Sequence, residues 1–138
     1  MYNAKRLINK QYKNEIMSLI NQMNLDERKY AFLLGCVITR ILLAFIVKTI
    51  DPKHLKIVSV LAAGLAIGWI YLYVFKKRQH AFEAGGVTWW NRYRPIHASI
   101  YLLVAYFAYT KQQTKAFYML LVDVIFGLMV WLHHHKYL

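Results

Sequence analysis

The chain has 138 residues, room for one domain, and 59% of them are apolar at a mean hydropathy of +0.29, above the roughly 45–50% of an ordinary soluble domain. Eighteen Lys and Arg oppose six Asp and Glu, a formal charge of +12, yet the charges gather in the gaps between long apolar stretches. That distribution argues against nucleic acid as the partner and for a membrane protein, and a single cysteine, Cys36, excludes an intrachain disulfide.

The first 24 residues carry Leu7, Ile8, Tyr12, Ile16, Leu19, Ile20 and Met23 at spacings of three and four, opposite Lys5, Asn9, Lys10, Lys13, Asn14 and Asn21. This is the pattern of an amphipathic, basic helix, equally suited to a lipid interface or to a partner protein. No continuous apolar stretch here has the form of a cleavable signal peptide, so insertion is expected to use the internal helices. Asn24 with Glu27 makes a capping-box pattern, reinforced by Asp26, and predicts a new helix. That helix enters the first apolar run, Ala31–Val47, which Arg40 interrupts and Asp51-Pro52 ends.

The second run, Ile57–Phe75, contains no charge and would span about 28 Å as a helix. Gly64 and Gly68 form a GxxxG pair within it, which lets another helix approach closely, though glycine is frequent in membrane helices anyway. Lys76-Lys77-Arg78 stop this helix, and Gly85-Gly86 mark a flexible loop. Then comes the densest stretch of the chain, Trp89-Trp90-Asn91-Arg92-Tyr93-Arg94-Pro95-Ile96-His97. Pro95 suits the first turn of a helix, where its missing N–H costs nothing. The third run, Pro95–Tyr109, is short and aromatic. The brief polar turn at Thr110–Thr114 makes the third and fourth helices antiparallel neighbours. The fourth run, Ala116–Leu132, contains Asp123 and leads to His133-His134-His135-Lys136-Tyr137-Leu138.

The expected architecture is therefore all-α: an amphipathic helix over 1–24, then an integral membrane bundle of about four transmembrane helices over 25–138, at about 27–50, 56–76, 89–110 and 114–135. In a four-helix arrangement twelve Lys and Arg fall on the side holding both termini and the middle loop, against Lys48, Lys53, Lys56, Lys111 and Lys115 on the other. The excess predicts cytoplasmic termini. Trp69, Trp89, Trp90 and Trp131 all fall toward that same side, as an interfacial belt would.

Arg40 and Asp123 are the intramembrane charges, each costing about 2.5–3.5 kcal/mol even on the lenient insertion scale. Each lies seven residues from the non-cytoplasmic end of its run, which puts them at one depth. They are expected to pair if the first and fourth helices touch. A register-fixing ion pair outweighs a proton or ion relay, since a relay needs more titratable groups along its path. His97 and His133–His135 share one side, but three consecutive histidines point about 100° apart on a helix and cannot all reach one metal, so no metal site is expected. Trp89, Trp90, Asn91, Arg92, Arg94 and His97, with Lys76, Lys77 and Arg78, are the candidate contacts for acidic lipid headgroups or a partner protein. No P-loop, nucleophile elbow, paired carboxylates or HExxH motif occurs. Neither enzyme activity nor a cofactor is expected.

Over residues about 87–135 the chain resembles a group of small multi-pass membrane proteins of nucleocytoplasmic large DNA viruses. The resemblance rests on Trp89-Trp90-Asn91, Arg94-Pro95-Ile96-His97, Tyr101, Ala105-Tyr106, the stretch Leu121–Leu128 and the terminal His133-His134. It implies a protein of the virion's internal membrane, a minor capsid component that links membrane to shell. The partners it implies are the bilayer and a capsid or scaffold protein. A viroporin-like channel or small transporter subunit is the alternative, a homo-oligomer closed through Gly64 and Gly68 with Arg40, Asp123 and His97 lining the path.

Overall fold

The computed structural model describes residues 25–81, 84 and 86–136, together with the helical residues Gln11, Lys13 and Asn14. The amphipathic helix expected over 1–24, and the capping role expected of Asn24, otherwise lie outside the described residues.

The first long helix is continuous from α1 (Leu25–Phe32) through a π-helical stretch (Leu33–Ile38) into α2 (Thr39–Thr49). Asp51 ends it. Its carboxylate accepts the Lys53 N–H at 3.0 Å, and Pro52 opens a 3-10 turn, Pro52–His54, using its fixed φ and absent donor where neither costs anything. Helix α3 follows (Leu55–Val74), then a minimal antiparallel hairpin of β1 (His80–Ala81) and β2 (Gly86–Val87). Trp89–Tyr93 winds as a 3-10 helix into α4 (Arg94–Tyr109), and α5 (Gln113–His134) completes the bundle. The hairpin departs from the all-α expectation. The third helix starts at Arg94 rather than near 89, because the five residues before it take the tighter 3-10 winding.

Three helix ends share one device. Lys76, Lys111 and Lys136 take left-handed φ angles of 50°, 58° and 58°, where glycine is usual. At α3 the Lys77 N–H bonds back to Leu72 O at 3.1 Å, and at α4 the Gln112 N–H bonds to Phe107 O at 2.8 Å. These are the long hydrogen bonds of a Schellman ending. A lysine there places a cation against the negative end of the helix dipole.

In space the order is α3–α4–α5–α2. At one end, Gln113 Nε2 donates to Val47 O and Ile50 O at 2.8 and 2.7 Å, fastening the start of α5 to the close of α2. At the other end Phe32 stacks on Trp131 at 5.3 Å and Trp89 on His134 at 4.1 Å. The latter is the basic end. Between them α3 and α4 meet through small side chains, Ser59, Ala62 and Ala66 against Ala98, Ala105 and Ala108. Small residues at a repeat of three and four let backbones approach closely, and Ser59 Oγ donates to Ala105 O at 2.7 Å across the contact.

Lys29–Thr49, Pro52–Val74 and Gln113–His134 are long and apolar enough to cross a membrane. Helix α4, at 16 residues, is not long enough by that measure; it is the core helix, sheltered by α3 and α5. The outward faces of the three long helices carry Leu42, Ile46, Val60, Leu61, Ile67, Ile125 and Met129, all exposed.

Candidate functional site: a buried charge cluster beneath an open cleft

Arg40 of α2, His97 of α4 and Asp123 of α5 converge inside the bundle. Asp123 is wholly buried. Arg40 Nη1 lies 3.0 Å from its Oδ2, but no hydrogen-bond donor is aligned on that oxygen, so the contact is Coulombic. The other oxygen, Oδ1, accepts the His97 Nδ1–H. Arg40 Nη1 also stands 3.4 Å from Nδ1; both atoms carry hydrogens, so this is proximity and not a bond.

Sequence makes this meeting possible in three ways. The turn at Thr110–Gln112 sets α4 against α5. Gln113 sets α2 against α5. Gly127, one turn beyond Asp123, leaves space: a Cβ there would stand 3.2 Å from Arg40 Nη1. Trp69 closes the cluster from α3, its ring 5.5 Å from the guanidinium carbon and 5.1 Å from the imidazole. Removing one partner of such a buried pair costs about 3–5 kcal/mol, because a charge is left without compensation.

The basic end differs from expectation at three residues. Arg94 is 2% exposed and binds protein rather than presenting itself to headgroups. Its guanidinium donates to Lys77 O at 3.0 Å, Arg78 O at 2.9 Å and Asn91 Oδ1 at 2.7 Å, tying the start of α4 to the chain leaving α3. Asn91 is spent on the same clamp. His97, grouped by sequence with the headgroup contacts, is buried in the charge cluster. Lys76, Lys77, Arg78 and Arg92 are exposed, Trp89 and Trp90 half-buried, and Arg92 lies over the Tyr93 ring at 4.9 Å. The Trp belt is divided. Trp131 is buried on Phe32 and Trp69 is half-buried at the cluster.

Thr88 is buried without having been singled out by sequence; its Oγ1 donates to Gln79 O at 3.1 Å and secures the hairpin. An isolated threonine in a loop carries no signal of that role.

A cleft of about 640 Å³ separates the first long helix from α3. Its lining runs from Arg78, Trp89 and Trp90 at the basic end to Arg40 and His97 at its base. Four glycines border it: Gly35, Gly64, Gly68 and Gly127. The close helix contact expected of Gly64 and Gly68 does not occur among the described residues, since a Cβ at either would meet nothing within 4 Å. A second hollow of about 380 Å³ at the basic end is bordered by Trp89, Arg92, Tyr93, His133, His134 and Lys136. Among the described residues no group of three or more His, Cys, Asp or Glu is placed to hold a metal ion.

No protein-family model matches the chain, and no curated protein or solved structure matches it either, so the geometry above and the sequence pattern carry the functional reading between them.

Proposed function

We propose that the chain is a non-enzymatic structural membrane protein, a multi-pass bundle whose basic end contacts acidic partners. The observation that carries this reading is an asymmetric coat. The long helices expose large apolar side chains along their outward faces, and one end of the bundle gathers Lys76, Lys77, Arg78, Arg92 and Lys136 with Trp89, Trp90 and Tyr93. Apolar faces suit hydrocarbon, and a collar of cations and amphipathic rings suits acidic headgroups at one interface. Helix α4 crosses with the others as the sheltered fourth member. The charge excess directs both termini to the cytoplasmic side.

The resemblance to membrane proteins of large DNA viruses extends the proposal: the bilayer is the virion's internal membrane, and the basic collar meets a capsid or scaffold protein. Crosslinking mass spectrometry on assembled particles, or on native membranes, tests it. Crosslinks from Lys76 or Lys77 to a shell protein support anchoring. Their absence, with only links between copies of this chain, removes it.

One observation favours a second reading, a viroporin-like channel or small transporter subunit: the cleft runs from the basic end to Arg40. Ion flux in liposomes separates the two. Flux abolished by Asp123→Asn in a protein that still assembles establishes the channel.

A further inference from the structure

The cleft has the chemistry of a binding site. Glycine inside a helix costs roughly 1 kcal/mol relative to alanine, and that loss is commonly offset by close packing. At Gly35, Gly64 and Gly68 it is not offset among the described residues: each faces space, with nothing within 4 Å of where a Cβ would sit. The three lower both walls of one cleft. The cavity falls within the roughly 300–1,000 Å³ of small-molecule sites, and its upper walls are apolar and aromatic, with Phe32, Leu65, Leu72 and Leu128.

The base of the cleft is polar. His97 is only 6% exposed, and its Nδ1–H is committed to Asp123. Arg40 already neutralises that carboxylate. With Nδ1–H given to the carboxylate, the neutral tautomer of the ring presents Nε2 as an acceptor. Among the described residues nothing hydrogen-bonds to it. Arg40, from the first long helix, borders the same cleft and supplies N–H donors. One acceptor and one cationic donor are complementary to a group that both donates and accepts.

We infer that the cleft binds a neutral lipid carrying a free hydroxyl, a sterol or long-chain alcohol, with the hydroxyl donating to His97 Nε2 and accepting from Arg40. An ester oxygen has no proton to give Nε2. The flat walls left by the three glycines suit a rigid, ring-built apolar body.

The inference rests on the bilayer reading. The full chain, reconstituted in phosphatidylcholine vesicles holding a photoactivatable cholesterol, is first floated and then irradiated. Labelled peptides are expected from 33–40 and 64–72. Unlabelled cholesterol competes and its methyl ether does so about tenfold less well, the worth of the lost hydrogen bonds. At Gly68 a Cβ meets nothing within 4 Å among the described residues, so Gly68→Leu is expected to keep helicity and thermal stability while losing the label. A chain that does not float removes both readings. A floated chain whose labelling is absent, survives Gly68→Leu, or is competed equally by the methyl ether overturns the site alone.

Discussion

Arg40 and Arg94 are both withdrawn from solvent, and they are satisfied by opposite means. Arg40 sits within a helical run where backbone carbonyls are already used by the helix, so a carboxylate, Asp123, compensates it at 3.0 Å. Arg94 sits where α3 has ended. Helix ends leave carbonyls unpaired, and its guanidinium takes those of Lys77 and Arg78 at 3.0 and 2.9 Å. Backbone dipoles suffice at a helix end; deeper in the bundle a full opposite charge is required.

The largest effect that tests this contrast comes from the carboxylate. Asp123→Ala leaves Arg40 buried without its counter-charge and is expected to destabilise by about 3–5 kcal/mol. The double change Arg40→Met with Asp123→Leu restores most of that loss, since charge and counter-charge leave together. Unfolding in mixed micelles measures both. A double variant as unstable as the single one would show that shape rather than charge balance governs the cluster.

Arg94→Lys comes next. An ammonium keeps the charge but not the planar fork that reaches several carbonyls at once, and each lost hydrogen bond to a charged donor is worth about 1.5–3 kcal/mol. A loss of about 2 kcal/mol is expected, with increased amide exchange over residues 75–79. If lysine serves equally well, the clamp works by charge alone and the contrast with Arg40 weakens.

Lys111→Gly should stabilise, by about 0.5–1 kcal/mol, because glycine takes the left-handed φ of 58° without the crowding a Cβ brings. Thermal unfolding in detergent reads this. A decrease would mean that the lysine's charge at the end of α4 outweighs its strain.

The smallest effect is at Asp51, outside the long helices. The Lys53 N–H, then the Lys53 side chain, hold its carboxyl below the ordinary 3.8. A lowered value means the turn's contribution is present above the ordinary value and is lost as pH falls through the folded one. The Lys53 amide resonance should therefore titrate with a midpoint below the ordinary 3.8; a midpoint at or above that value would contradict the contact.

Much of the fold was legible. Run lengths and breaks predict about four transmembrane helices; the structure has the helices, three of them long and apolar enough to cross a membrane, and the brief polar turn makes the last two neighbours. Equal depth from the run ends put Arg40 and Asp123 level, and they lie in contact. His97 is expected among the headgroup contacts and, in the channel alternative, beside Arg40 and Asp123; the structure sets it with the second group, three positions on from Arg94 along α4 and turned inward. Arg94 and Asn91 were misread for a related reason: a cation in an aromatic loop has the same sequence whether it faces lipid or a helix end.

The sequence by itself determined what depends on composition along a line: the apolar runs, their stops at Asp51-Pro52 and Lys76–Arg78, and the placement of charge at their ends. Tertiary structure alone decided which helix is sheltered, which arginine is spent on the protein, and that Gly64 and Gly68 border a cleft. These outcomes depend on which unpaired carbonyls, carboxylates and bare backbone surfaces meet when the helices assemble. That proximity is a property of the packed bundle, and hydrophobic periodicity carries no record of it.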